Sequence, residues 1–236
     1  MDHPVDKRET VSVADLGLME YGRAWSLQKK MHERRVRGEI PDLLLLVQHP
    51  PVLTLGKSGA LSNVLVRPEQ LAEMGISLFF IERGGDVTYH GLGQIVGYPI
   101  MDLRRRGRDI YRFITDLEEV MIRTALDFSI RAERDPGHRG VWVGRKELGA
   151  IGLSVRKWVS MHGFALNVTT DLEPFSIINP CGFTDRQATS MAACLSRHLR
   201  VAEVLDRLKH HFSTVFDVDL RPMREEELAD IDEQAP

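Results

Sequence analysis

The chain has 236 residues, 43% of them hydrophobic, with 31 Lys and Arg against 34 Asp and Glu. That length suits one large α/β domain with a full core better than two independent ones. A formal net charge of -3 and the lack of any long basic block leave no electrostatic footprint for nucleic acid.

The opening residues, MDHPVDKRET, hold no apolar signal core, and the apolar stretch at 43–47 is far too short to span a bilayer. A soluble, cytoplasmic protein with no membrane partner is expected. Residues 21–37 carry Trp25, Leu27, Met31 and Val36 opposite a charged side, which predicts a helix. Residues 43–48 read as a buried strand, stopped by His49-Pro50-Pro51 because proline has no N–H for a ladder. Apolar runs at 78–81 and 95–100 read as strands on either side of RGGDVTYHGLGQIVGY, residues 83–98. Paired glycines there let backbone approach a ligand closely, although Gly-Gly also suits a plain hairpin turn. Arg104-Arg105-Arg106 reads as a solvated loop or as a landing site for an acidic protein. Asp109 is placed to cap a helix whose Ile110, Phe113, Ile114, Leu117, Val120 and Met121 keep helical spacing. Glycine-broken β-rich segments follow at 141–143, 148–155 and 159–168, then a loop at 170–184. A final helix presents Val201, Val204, Leu205, Leu208, Phe212 and Val215 on one face. Residues 224–236 are acidic and expected to fray. With no repeat and no linker, the expectation is a single catalytic domain over 1–236, α+β (an α/β mixed sheet flanked by helices).

Two cysteines, Cys181 and Cys194, are too few for a disulfide framework and fit a reducing compartment. Cys181 lies in Asn179-Pro180-Cys181-Gly182, where proline fixes the approach and glycine leaves the sulfur open. A thiolate is the strongest nucleophile available at neutral pH, and a nearby cation populates it. A buried structural cysteine is the plainer reading of the residue type. Cys194, within Met191-Ala192-Ala193-Cys194-Leu195, reads as a small buried hydrophobe. Lys146 stands at the mouth of a strand, either as an ordinary solvated lysine or as the cation a thiol needs. His90 and His162 are both flanked by glycine, and a ligand-facing side chain and a hydrogen-bonded core histidine fit them equally. No metal-ligand spacing, phosphate loop or dinucleotide fingerprint occurs, so neither metal nor cofactor is expected.

Three stretches in order, RGGDVTYHGLGQIVGYPI, KELGAIGLSVRKWVSMHGFALNV and NPCGF, resemble the lipoyl(octanoyl) transferases of lipoate biosynthesis. LLLLVQHPPVLTLG, from Leu43, extends the likeness. The resemblance implies the biotin/lipoate protein ligase-like fold and transfer of an octanoyl group from acyl carrier protein. The implied acceptors are lysines on lipoyl domains of 2-oxoacid dehydrogenases and on the glycine cleavage H protein. Cys181 is then the acyl-thioester nucleophile and Lys146 the partner that lowers its pKa. Arg83, Gly84, Gly85, Asp86, Val87, Thr88, Tyr89 and His90 become acyl-pocket residues, together with Ala150, Ile151 and Gly152 and with Gly163, Phe164 and Ala165.

The chain departs from that family's pattern twice. Leu92 stands where the family usually has proline, and the family lysine, counted back from Ala150, falls on Glu147. A one-residue slip turns a side chain to the opposite strand face, so a β-bulge is needed to aim Lys146 inward. Two rivals share these features: an ATP-dependent lipoate or biotin ligase, which needs no cysteine nucleophile, and a non-catalytic binder of acylated proteins.

Overall fold

The computed structural model describes residues 8–179, 187–195, 197–223 and 227–228. Cys181 and nearly all of the acidic tail lie outside the described residues.

Strand β1 (Glu9–Leu18) opens the fold, followed by helix α1 (Tyr21–Arg37) and strand β2 (Leu43–Gln48). The sequence reading passed over β1, which pairs in parallel with β2. Helix α1 ends at Gly38, whose φ of 77° is a left-handed conformation that costs glycine little. Strand β3 (Val52–Leu55), helix α2 (Pro68–Glu73), strand β4 (Ser77–Phe80) and strand β5 (Val87–His90) come next. These strands form a small sheet ordered β4-β3-β5. Val87–His90, within the glycine-rich motif, is therefore a strand, where a loop was expected.

The chain continues through β6 (Gln94–Ile100), α3 (Ile110–Asp127), β7 (Glu133–Asp135), β8 (His138–Val143), β9 (Lys146–Arg156) and β10 (Val159–Asn167). After the undescribed stretch come β11 (Gln187–Ala188), α4 (Met191–Leu195), α5 (Val201–Phe216) and β12 (Val218–Pro222). Asp109 caps α3 as its position predicts, accepting from the Arg112 N–H at 2.9 Å. Among the described residues the main sheet runs β12-β1-β2-β6-β10-β9-β8-β7, with β11 added beside β9.

Side chains alternate across this sheet and are covered on both faces. Ile95 and Leu166 pack with Phe113, Leu117 and Phe212 under α3 and α5. Their neighbours Val96 and Ala165 face the other way, toward Leu27 and Met31 of α1. Each such buried Val, Leu, Ile, Phe or Met side chain contributes roughly 1.5–3 kcal/mol. The arrangement is the α+β mixed sheet flanked by helices that the sequence predicted.

The three arginines after β6 are not a free loop. They lie in a short 3-10 turn, Leu103–Arg106, where Arg104 pairs with Asp102 at 2.6 Å while Arg105 and Arg106 face Glu9. Cys194 is exposed on α4, not buried as expected, because that short helix turns Met191 into the core instead. No described helix is long and apolar enough to cross a membrane.

Candidate active site

A cavity of about 560 Å³ opens between the small sheet and strands β6, β10 and β9. That size falls in the range of small-molecule sites, roughly 300–1,000 Å³. One wall is the run Arg83, Gly84, Gly85, Asp86, Val87, Thr88 and His90; the facing wall is built from Ala150, Ile151, Gly152, Gly163, Phe164 and Ala165. His162 also borders it. Tyr89 does not: its ring packs against Phe175, with centroids 5.3 Å apart, and Phe175 is the one that borders the cavity.

The glycine-bearing wall is pinned at its first two residues. The buried Arg83 guanidinium donates to the Thr54 carbonyl at 2.7 Å and to Thr54 Oγ1 at 3.0 Å, anchoring it on β3. The Gly84 N–H donates to the Leu153 carbonyl at 2.8 Å, which brings this wall against β9. That approach requires glycine at 152, since a Cβ there would lie 2.8 Å from Arg83 Cδ and 3.0 Å from the Gly84 carbonyl oxygen. Because Gly84 spends its N–H on Leu153, it is not a donor for a reacting oxyanion.

The described residues on either side of 180–186 are held near this cavity. Before it, the Asn179 N–H donates to the Asn63 carbonyl at 2.8 Å, and Asn63 Nδ2 donates to Asp86 Oδ2 at 2.5 Å. After it, Gln187 and Ala188 pair in register with Lys146 and Glu147.

Lys146 and Glu147 part company at this point. Lys146 is exposed and does not border the cavity, whereas Glu147 does. A bulge is present: Val141 pairs with Gly149 but Trp142 pairs with Glu147, so Leu148 is the extra residue. Lying C-terminal to both residues, it sends Leu148 into the interior and shifts the two together relative to Ala150, which leaves Glu147 and not Lys146 on the cavity side.

Buried imidazoles line the deeper cavity. His90 stacks on Tyr21 at 6.0 Å between centroids and meets the edge of His49 at 5.9 Å. Burial is the main reason the His90 pKa is held down to about 3, with His49 adding to it. His49 is likewise lowered to about 4 by burial. It donates from Nδ1 to the Met19 carbonyl at 2.7 Å and accepts from the Tyr98 hydroxyl at 2.7 Å. His162, with φ of 58°, is 2% exposed, and burial lowers its pKa too. Its Nε2 lies 3.8 Å from Glu82 Oε2. No group of three His, Cys, Asp or Glu among the described residues is placed to hold a metal.

A family model for the lipoyl protein ligase A/B catalytic domain matches residues 20–224. An octanoyltransferase of Caldicellulosiruptor saccharolyticus is 47% identical over 223 residues, 94% of this chain and 95% of that protein. The chain belongs to the octanoyltransferase family. Among solved structures, the bipartite lipoate protein ligase of Thermoplasma acidophilum superposes with a TM-score of 0.70 at 18% identity, covering 96% of this chain and 93% of that one. A biotin protein ligase of Aquifex aeolicus gives 0.51 at 13% identity, covering 87% and 70%. These likenesses establish the biotin/lipoate protein ligase-like fold.

Leu92, the sequence's first departure from the family pattern, lies at the surface. It is 57% exposed, and the turn is held instead by the Gly93 N–H donating to Gln48 Oε1 at 2.9 Å. Sequence reasoning missed Tyr21 and Asn63, which lie outside the quoted stretches and far along the chain from the motifs they support, and gave no role to Thr54 and Tyr98 inside those stretches. Gln94 and Asn167 sat inside quoted motifs, and their polar character in otherwise apolar strands was the available signal.

Proposed function

We propose that the protein carries an octanoyl group from acyl carrier protein to a lysine of lipoyl domains, through an acyl thioester on Cys181. Family membership makes it an acyltransferase; the donor, the covalent intermediate and the site roles are the proposal. The observation that supports it is where the described neighbours of residues 180–186 sit: Asn179 bonds Asn63, whose side chain holds the cavity residue Asp86, and Ala188 pairs with the cavity residue Glu147.

In the first half-reaction the Cys181 thiolate attacks the donor thioester carbonyl, and the carrier thiol departs with a proton. One thioester replaces another at little energetic cost. The acceptor lysine then attacks the enzyme thioester, a C–N bond forms, the C–S bond breaks, and the thiol is restored. Amide formation makes this second step downhill, so neither nucleotide nor metal is required. The apolar cavity surfaces, Val87, Val96, Ile151 and Phe164 among them, would receive the chain, each buried CH₂ contributing about 0.8 kcal/mol. Lys146, at the outer end of β9 beside Gln187, is proposed to lower the Cys181 pKa from the turn side. The acceptors proposed are the lipoyl domains of 2-oxoacid dehydrogenases and the glycine cleavage H protein, in the cytoplasm.

The test is intact-mass analysis after mixing the protein with octanoyl-carrier protein and then with an apo lipoyl domain, without nucleotide. One octanoyl group should appear on the enzyme and move to the acceptor. Transfer that occurs only with free octanoate, ATP and magnesium would make the protein a ligase instead.

A further inference from the structure

A one-way chain of hydrogen bonds crosses the wall of the cavity and fixes the state of His90. It begins at the Thr189 backbone carbonyl, which can only accept. Asn167 Nδ2 donates to that oxygen at 3.0 Å, so the Asn167 Oδ1 must face Gln94. Gln94 Nε2 donates to Asn167 Oδ1 at 2.8 Å and to the Tyr89 carbonyl at 3.2 Å, which leaves Gln94 Oε1 facing His90. That oxygen lies 2.7 Å from His90 Nδ1. An amide oxygen cannot donate, so Nδ1 carries the proton and Nε2 of the neutral ring is a bare acceptor. Every link is buried: Gln94 is 2% exposed and Asn167 4%. Nε2 makes no hydrogen bond with any described residue, and His90 borders the cavity.

This acceptor is unneeded by an octanoyl chain or a thioester carbonyl, neither of which has a proton to give. The acceptor lysine does. Arg83, whose positive charge is felt at His90, opposes an ammonium there and favours the neutral amine that aminolysis requires. We propose that His90 Nε2 accepts a hydrogen bond from the attacking lysine amine, and that Gln94 is the positioning residue that keeps this nitrogen bare. As the C–N bond forms and the C–S bond breaks, the amine's proton goes to the departing Cys181 sulfur. His90 stays neutral and aims the nitrogen lone pair at the thioester. The inference rests on the two-step transfer proposed above and assigns His90 to its second step.

Nitrogen-15 NMR of the histidine rings, combined with separate single-turnover measurements of the two half-reactions, tests this. In the wild type, His90 should be protonated on Nδ1 alone. Gln94→Met should abolish that fixed tautomer and slow transfer from the octanoyl-enzyme about tenfold, while loading from octanoyl-carrier protein changes less than about twofold. A wild-type His90 protonated on Nε2 overturns the inference even if no variant folds. So does a Gln94→Met enzyme with unchanged transfer, or one slowed only in loading, which would mean that His90 reads the carrier's arm. A wild type that never becomes octanoylated would defeat the transferase reading itself, a separate outcome.

Discussion

Asn179 and Asn63 are joined backbone to backbone at 2.8 Å, two residues before Cys181 and in the wall that holds Asp86. This contact ties the last described residue before Cys181 to the neighbourhood of Asp86 in the cavity wall. Asn63→Asp should break the tie, since it sets a second carboxylate against the buried Asp86. Loading from octanoyl-carrier protein should slow about tenfold as the segment loses its register. An unchanged loading rate in a folded variant would show that the tie is dispensable.

Cys181→Ser should abolish the octanoyl-enzyme adduct seen by mass spectrometry. Cys194→Ser should leave transfer at the wild-type rate, although Cys194 is exposed, because it lies on α4 away from the cavity lining. The reverse pattern would reassign the nucleophile.

Lys146→Ala should raise the pH at which Cys181 reacts with an alkylating probe, and slow both half-reactions. Glu147→Ala should lower that pH or leave it unmoved, because a carboxylate near a thiol opposes its ionisation. If the thiol titration is untouched in Lys146→Ala but shifts strongly in Glu147→Ala, the cavity-facing residue governs the site and another cation serves the thiol.

Gly152→Ala should push the Arg83 to Gly84 wall off β9, since its Cβ has only 2.8 Å to Arg83 Cδ. Overpacking of this kind costs about 1–3 kcal/mol. A lower melting temperature with a raised KM for the octanoyl donor is expected. An alanine variant with wild-type values for both would mean that the wall yields without consequence.

Stability should fall in mild acid. His49 and His90 have native pKa values of about 4 and about 3, below the ordinary 6.5, because burial disfavours the charged ring. The unfolded chain therefore takes up protons that the native state refuses. Their contribution is whole above pH 6.5 and is lost as pH drops toward the native values, by roughly 1.4 kcal/mol per pH unit for each histidine. Urea melts between pH 8 and pH 5 should show this slope, and His49→Gln should remove the share due to His49, about 1.4 kcal/mol per pH unit below pH 6.5. A flat profile across that range would contradict neutral burial.

The strands β2, β6, β9 and β10, the helices α3 and α5 and the glycine-rich cavity wall were legible in the sequence. Each depends on a local pattern: an apolar run, a helical period with Asp109 as its cap, or paired glycines beside a strand. The family was legible too, because its motifs are contiguous. What the sequence left open is set by pairing between distant segments. The small sheet that carries His90, the seating of Arg83 on Thr54 and the tie from Asn63 to Asn179 join residues far apart in the chain, with no periodicity linking them. The face taken by Lys146 and Glu147 was undecided for a related reason. Strand alternation fixes only that the two point oppositely, and the tertiary placement of the Leu148 bulge decided which of them meets the cavity.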